Sequence, residues 1–137
     1  MKLIKIIDRL YLGNASTATN WSELEKHNIR YIVNISAGKM LFPSQITYLR
    51  INMKDGKDSD IKKHLDEVVN FIEESKTFAS VLVHCKGAIS RSPSFIIAYL
   101  CKFQGMNLDE AYQHVKKCRN QIKPQAVFIK AISEWLS

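Results

Sequence analysis

Short runs of apolar or alternating residues predict the strands of this chain. LIKII and ITYLRINM alternate between apolar and polar positions, whereas YIVNIS and SVLVH are mostly apolar. Alternation is typical of a strand with one buried face, and a continuous apolar run is typical of a strand buried on both faces. We therefore expect these segments to be strands, with a loop directly after SVLVH.

Longer segments with apolar residues at helical spacing lie between and after the strands. Residues 61–76 carry such a stripe, and Ser59 or Asp60 can cap its start. A second helix is expected to begin near Arg91 and to run through FIIAYLCKF. Gly105 should end it, because glycine commonly follows the last residue of a helix.

Two further helices complete the predicted pattern. Asn107 can cap the third helix, and Glu110 can answer it in a capping box. Pro124 suits the first turn of the last helix. Strands that alternate with helices imply an α/β fold, in which a mostly parallel twisted sheet is flanked by helices on both faces. Ligands bind such sheets where the carboxyl ends of strands lead into loops.

Composition predicts one ordinary globular domain over residues 1–137. The 20 Lys and Arg against 13 Asp and Glu give a net charge of +7. This excess favours anionic partners such as phosphorylated groups, although a lysine-rich solvated surface would show it too. We expect no membrane-spanning segment, no nucleic-acid partner and a cytoplasmic location with nuclear access open. No feature predicts an oligomeric state.

The three cysteines are an odd number without a close pair, which argues against a disulfide framework and against a zinc site. Cys101 and Cys118 occupy apolar helical positions, where a cysteine usually acts as a small buried hydrophobe. Cys85 differs, because it lies at the end of an apolar strand and directly before a tight loop.

The stretch VLVHCKGAISRSPS combines a strand, a short loop and a helix N-terminus. Backbone amides at such a junction have no intrahelical partner, and the helix dipole adds positive charge, so the loop can bind phosphate. The same field should lower the pKa of Cys85. Arg91 can return across the loop and donate two parallel hydrogen bonds to phosphoryl oxygens. The stretch therefore predicts covalent phosphoryl transfer to a thiolate.

These residues resemble the HCxxGxxRS signature of the protein tyrosine phosphatases, and in particular the small atypical dual-specificity phosphatases. His84 and Cys85, then residues 86–90, then Arg91 and Ser92 carry the resemblance. It extends to IIDRLYLGNASTATN as the opening strand pair, to HNIRYIVNIS and YLRINMKD, and to the helix pair after the loop. The resemblance covers nearly the whole chain.

The resemblance implies a role for each residue of the loop. Cys85 would form a cysteinyl-phosphate, Ser92 would donate to the leaving thiolate, and His84 would orient the loop. The phosphate would be held by Lys86, Gly87, Ala88, Ile89, Ser90 and Arg91. No metal and no organic cofactor is expected, because Arg91 and the amides offset the charge.

A general acid must protonate the leaving oxygen of the phosphate ester. Asp55 follows the ITYLRINM strand at the distance where family members place this acid, so the resemblance favours it. Asp58 is the reserve candidate. Asp58 and Asp60 directly precede a predicted helix, and turn formation or capping explains them as well.

One position departs from the family pattern. The family's glycine corresponds to Ala88, and glycine stands one place earlier, as Gly87. A methyl group here could crowd the curled backbone or force a positive φ on alanine, whereas a negative φ would be tolerated. The rival hypothesis is therefore a pseudophosphatase that binds phosphorylated ligands without hydrolysing them.

Among substrates, phosphorylated proteins are favoured, with phosphotyrosine and phosphoserine or phosphothreonine both accepted. The short chain lacks the tyrosine-recognition insert of larger family members. Lys86 and the positive charge resemble the phosphoinositide 3-phosphatases, which makes lipid the alternative. Ile89, however, stands where those enzymes carry a second lysine.

Overall fold

The computed structural model describes residues 1–137 as five strands and five helices. The strands are β1 (Ile4–Ile7), β2 (Leu10–Gly13), β3 (Ile29–Ile35), β4 (Thr47–Ile51) and β5 (Ser80–His84). The helices are α1 (Trp21–Lys26), α2 (Lys62–Lys76), α3 (Arg91–Phe103), α4 (Leu108–Cys118) and α5 (Ala126–Leu136). The sheet order is β1-β2-β5-β3-β4, in which only the β1–β2 pair is antiparallel. The predicted α/β fold with a mostly parallel sheet is confirmed.

Both faces of the sheet are covered, but unequally. Val81 and Val83 point into a large core that α2 to α5 complete, whereas Leu82 points into a smaller core beside α1. Successive residues of a strand face opposite sides, so this partition shows that β5 is buried on both faces. The apolar run SVLVH thus encodes a central strand. No helix is long and apolar enough to cross a membrane.

The signals at the ends of α3 and α4 are confirmed. Asn107 accepts from the Glu110 amide at 2.8 Å, and the Glu110 carboxylate accepts from the Asn107 amide at 3.0 Å, which is the predicted capping box. Gly105 follows the last turn of α3 with a φ of +70°, a conformation that glycine adopts without a side-chain clash.

The predicted caps of α2 are wrong. The helix starts after Ile61, and no side chain caps it, so neither Ser59 nor Asp60 has that role. Ile61 is fully buried, and its burial anchors the helix start in place of a cap.

The prediction for Pro124 is also wrong, because α5 begins at Ala126. The segment before it stays extended, since the Lys123 and Gln125 amides bond to residues of the loop after β5. The short helix α1 escaped prediction. Six residues show little periodicity, and its one signal is Asn20, whose side chain accepts from the Glu23 amide.

Four parallel strands end at the same edge of the sheet, which brings the segments after β2, β4 and β5 together. Helix α3 begins at this edge, directly after the loop of residues 85–90. It is tied to α2 by Tyr99, whose buried hydroxyl donates to the Glu73 carboxylate at 2.6 Å. That bond links α3, which carries Arg91, to α2 on the same face of the sheet.

We expect Tyr99→Phe to lower the free energy of unfolding by about 1 to 2 kcal/mol, because it removes a hydrogen bond to a charged group and keeps the ring. Tyr112→Phe is the matched control, since the Tyr112 hydroxyl makes no hydrogen bond within the chain. It should change stability by less than about 0.5 kcal/mol. Urea unfolding measures both, and equal losses would contradict the role of the Tyr99 hydroxyl.

Candidate active site

The loop between β5 and α3 turns its carbonyls outward. Each carbonyl from residue 85 to residue 90 accepts a hydrogen bond from a group outside the curl. The donors are His84 Nδ1 to Cys85 at 3.4 Å, the Ala15 amide to Lys86 at 3.4 Å, Arg119 Nη2 to Gly87 at 3.2 Å, Arg119 Nε to Ala88 at 2.9 Å, the Lys123 amide to Ile89 at 2.7 Å, and Ser94 Oγ to Ser90 at 2.6 Å.

The amides of residues 86–91 donate to no other group of the chain. In a trans peptide the N–H points opposite to the C=O, so outward carbonyls turn the following amides inward. The concave side of the loop therefore presents successive N–H donors at the N-terminus of α3. Such a nest of amides is an anion site.

Cys85 lies at the base of this loop and is 2% exposed. Its Sγ is 3.1 Å from the hydroxyl of Ser92, which is fully buried in the first turn of α3. When the cysteine is a thiolate, only Ser92 can be the donor of this bond, and the bond then stabilises negative charge on sulfur.

Arg91 is held by the segment that follows β4. Its Nη1 donates to the Met53 carbonyl at 3.0 Å, and the Met53 amide donates to Ser36 Oγ at 2.6 Å. The Ser36 hydroxyl in turn donates to the Ile51 carbonyl at 3.1 Å. This chain of bonds fixes the segment that precedes Asp55 against the guanidinium of Arg91.

The cavity above Cys85 has a volume of about 320 Å³. It is lined by Asp55, Cys85, Lys86, Gly87, Ile89, Ser90 and Arg91. Asp55 is exposed and bonds to no other residue, so its carboxyl can reach over the loop. Asp58 and Asp60 line adjacent cavities instead. The geometry thus brings the favoured acid, and not the reserve, to the cysteine.

His84 is 1% exposed, and its Nδ1 hydrogen points to the Cys85 carbonyl. Burial lowers the pKa of His84 from its usual 6.5 to about 4, and the charge of Arg50 adds to this effect, while the hydrogen bond opposes it. The imidazole is therefore neutral at pH 7. It orients the loop through a hydrogen bond and adds no positive charge beside the sulfur.

Ala88 adopts a φ of +56°, so the positive φ considered from the sequence is present and the backbone is left-handed at this residue. Its side chain is fully buried and lies outside the lining of the cavity. The methyl group therefore does not occupy the space above Cys85. The departure from the glycine pattern therefore shows in the backbone conformation of Ala88 and not in the space of the cavity.

Cys101 and Cys118 are half-buried and free, and burial raises the pKa of both thiols. Both therefore remain protonated near neutral pH, which fits the interpretation of these cysteines as small apolar residues on their helices.

Sequence reasoning missed Arg119, Ser36 and Met53. Each acts through a partner far along the chain, such as Met53 for Arg91 and Ala88 for Arg119. No local spacing marks such contacts. The only signal in the sequence was that Arg119 directly follows α4, at the end of the segment that resembles the family's helix pair.

A sequence model of the dual specificity phosphatase catalytic domain matches residues 10–137. The chain is 37% identical over 132 residues to human Protein phosphatase Slingshot homolog 1, covering 95% of this chain but 13% of that protein. It is 36% identical over 127 residues to Dual specificity protein phosphatase 1 of Arabidopsis thaliana, covering 91% of this chain and 64% of that protein. The structure of a mouse dual specificity phosphatase complexed with zinc tungstate superposes with a TM-score of 0.90 at 28% identity, covering 97% of this chain and 85% of that one.

We expect Ala88→Gly to change the free energy of unfolding by less than about 1 kcal/mol. Relief of the left-handed alanine gains about 1 to 2 kcal/mol. Loss of a buried methyl group and the greater freedom of unfolded glycine offset it by a similar amount. Ala88→Val should cost about 2 kcal/mol or more, because a β-branched side chain at positive φ must also fit a filled site. Denaturant unfolding separates the two, and a harmless valine would contradict the conformation of Ala88.

Acid should destabilise the protein through His84. The unfolded state binds a proton near pH 6.5 and the folded state only near pH 4, so lowering the pH between these values favours unfolding. At one pKa unit per 1.4 kcal/mol, His84 accounts for about 3 kcal/mol of lost stability by pH 4. In His84→Asn, whose amide can replace the Nδ1 donor, unfolding free energy should fall less steeply over this range. Parallel curves for the two proteins would refute this origin.

Proposed function

This chain belongs to the family of dual-specificity phosphatase catalytic domains, and from that membership we propose that it is a cysteine-dependent protein phosphatase. The proposed substrates are phosphotyrosine and phosphoserine or phosphothreonine in proteins. The single observation that carries this proposal is the loop of inward amides at residues 86–91, with the Cys85 sulfur at its base.

In the first step the Cys85 thiolate attacks phosphorus in line with the leaving oxygen. The P–O bond to the substrate breaks as the P–S bond forms, and Asp55 gives its proton to the departing oxygen. The amides and Arg91 stabilise the charge on the three equatorial oxygens, where it develops. Arg91 can do so from a fixed position because Met53 holds its guanidinium.

In the second step water attacks the cysteinyl-phosphate. Asp55, now a carboxylate, accepts a proton from the water, the P–S bond breaks, and the products are inorganic phosphate and the Cys85 thiolate. The Ser92 hydroxyl, 3.1 Å from the sulfur, donates to the thiolate as it leaves. The same residues thus serve both steps in opposite protonation states.

The mouse relative is a complex with zinc tungstate, and tungstate is a tetrahedral dianion like phosphate, so this complex supports an oxyanion as the ligand class of the fold. Lys86 lines the cavity, and Lys54 and Lys57 are exposed on the segment that carries Asp55. These charges favour phosphorylated segments that carry further acidic groups. Ile89 is 36% exposed on the rim, and an apolar rim residue suits a peptide side chain better than a lipid headgroup with several phosphates. Protein is therefore preferred to phosphoinositide as the substrate class.

A phosphate-binding protein without turnover is the second candidate, and the observation that favours it is the left-handed Ala88. The outward bonding of all carbonyls from residue 85 to residue 90 fits both candidates, because both bind phosphate. Turnover is favoured by the presence of a thiol, a guanidinium and a carboxyl around one cavity, at Cys85, Arg91 and Asp55.

We expect Asp55→Ala to lower kcat/KM, which reports the first step, for a phosphotyrosine peptide by about a hundredfold or more, because the leaving oxygen then departs without a proton. With p-nitrophenyl phosphate, whose leaving group needs no proton, the loss should be less than about tenfold. Steady-state release of phosphate measures both. Cys85→Ser should abolish turnover of either substrate.

Asp58→Ala is the matched control, because Asp58 lies on the same segment but outside the cavity of Cys85. Its kcat/KM should stay within about twofold of the wild type. If Asp58→Ala showed the leaving-group dependence instead, the acid would be Asp58. A wild type that binds phosphate as Cys85→Ser does, yet hydrolyses neither substrate, would identify the pseudophosphatase.

A further inference from the structure

The tip of the phosphate loop is held by one side chain from another element. Arg119, which directly follows α4, donates from Nε to the Ala88 carbonyl at 2.9 Å and from Nη2 to the Gly87 carbonyl at 3.2 Å. No other group of the chain donates to these two carbonyls. The loop therefore depends on Arg119 at the two residues where it departs from the family pattern.

The conformation at the tip is the one that alanine disfavours. A positive φ brings the Cβ of an L-residue close to its own backbone, so residues other than glycine rarely adopt it. Rotation of the Gly87–Ala88 peptide would bring the φ of Ala88 back to negative values. The same rotation would turn the Gly87 carbonyl into the cavity and the Ala88 amide away from it, which replaces a donor to phosphate by an acceptor.

We propose that Arg119 is a positioning residue that prevents this peptide rotation and so keeps the loop competent to bind phosphate. Its Nη2 holds the carbonyl that would have to turn, and its Nε holds the next one. Hydrogen bonds from a charged donor are stronger than those between neutral groups, so the two bonds from Arg119 together outweigh the preference of alanine for a negative φ. The inference deepens the proposed function, because it concerns the same phosphate site.

The main chain beside Arg119 supports this position. The Lys123 amide donates to the Ile89 carbonyl at 2.7 Å, and the Gln125 amide donates to Ser90 Oγ at 3.0 Å. The connection between α4 and α5 thus follows the outside of the loop from residue 87 to residue 90. Lys116 Nζ holds this connection in turn, by a bond of 3.0 Å to the Asn120 carbonyl.

Affinity for inorganic phosphate tests the proposal, because it is independent of turnover. In a Cys85→Ser background, Arg119→Met should weaken phosphate binding about tenfold, because the preference of alanine for negative φ then favours the rotated peptide by about that factor. Arg119→Lys, which can keep one of the two bonds, should lose less. Lys117→Met removes the same charge from an exposed residue of α4 without a hydrogen bond, and should change affinity less than twofold. Titration of the backbone amide NMR signals of residues 86–91 with phosphate measures all three.

The preference of Ala88 for a negative φ supplies a second readout. If Arg119 acts by preventing the peptide rotation, its removal should matter less when glycine makes the left-handed conformation free of strain. Arg119→Met should therefore cost about threefold or less in phosphate affinity when Ala88→Gly is also present. In proteins that retain Cys85, kcat/KM for p-nitrophenyl phosphate, a substrate too small to reach Arg119, should show the same dependence.

Unchanged phosphate affinity in Arg119→Met would overturn the proposal, and so would an equal loss with Ala88 and with glycine at that position. Thermal unfolding checks that Arg119→Met is folded at the titration temperature. If Arg119→Met is unfolded, the phosphate affinity of Arg119→Lys is compared with that of the wild type instead. Should the wild type fail to hydrolyse p-nitrophenyl phosphate while Arg119→Met still weakens phosphate binding, the proposed activity would fall and the positioning role would stand.

Discussion

The outward bonding of six successive carbonyls is the constraint on which the rest of this site depends. A peptide that turned its carbonyl inward would place a negative dipole against the phosphate, so each of the six must have a donor on the outside. Those donors come from the segment after β2, from β5, from α3 and from the connection between α4 and α5. The parallel sheet brings these segments to one edge, and the loop acquires its shape from them.

The chemistry of the cysteine follows from the same arrangement. Cys85 is nearly buried beneath the amides, with the Ser92 hydroxyl 3.1 Å from its sulfur and a neutral His84 behind it. Positive charge at the site comes from backbone dipoles, from Arg91 and from Lys86. The bond between Arg91 and Met53 connects the loop to the segment that carries Asp55, so that Cys85, Arg91 and Asp55 lie around one cavity.

Ala88 shows how a departure from a motif can be tolerated. The cost of a left-handed alanine, about 1 to 2 kcal/mol, is of the same order as one or two hydrogen bonds from a guanidinium. At this residue Arg119 bonds to the Gly87 and Ala88 carbonyls, and the methyl group is buried in the core and does not line the cavity. A sequence motif records the glycine but not these contacts from residues far along the chain.

By itself the sequence determined the features that depend on interactions between residues a few positions apart. The alternation of the strands, the Asn107–Glu110 capping box, the turn at Gly105 and the Cys85–Arg91 spacing all depend on neighbours in the chain. The tertiary structure decided the contacts between residues that are far apart in the sequence, and the conformations that depend on them. It set the sign of φ at Ala88, chose Asp55 over Asp58 beside the cysteine, kept Pro124 outside the last helix, and joined Arg91 to Met53. The physical reason is that a backbone group needs one partner, and only the folded sheet edge decides which remote donor reaches it.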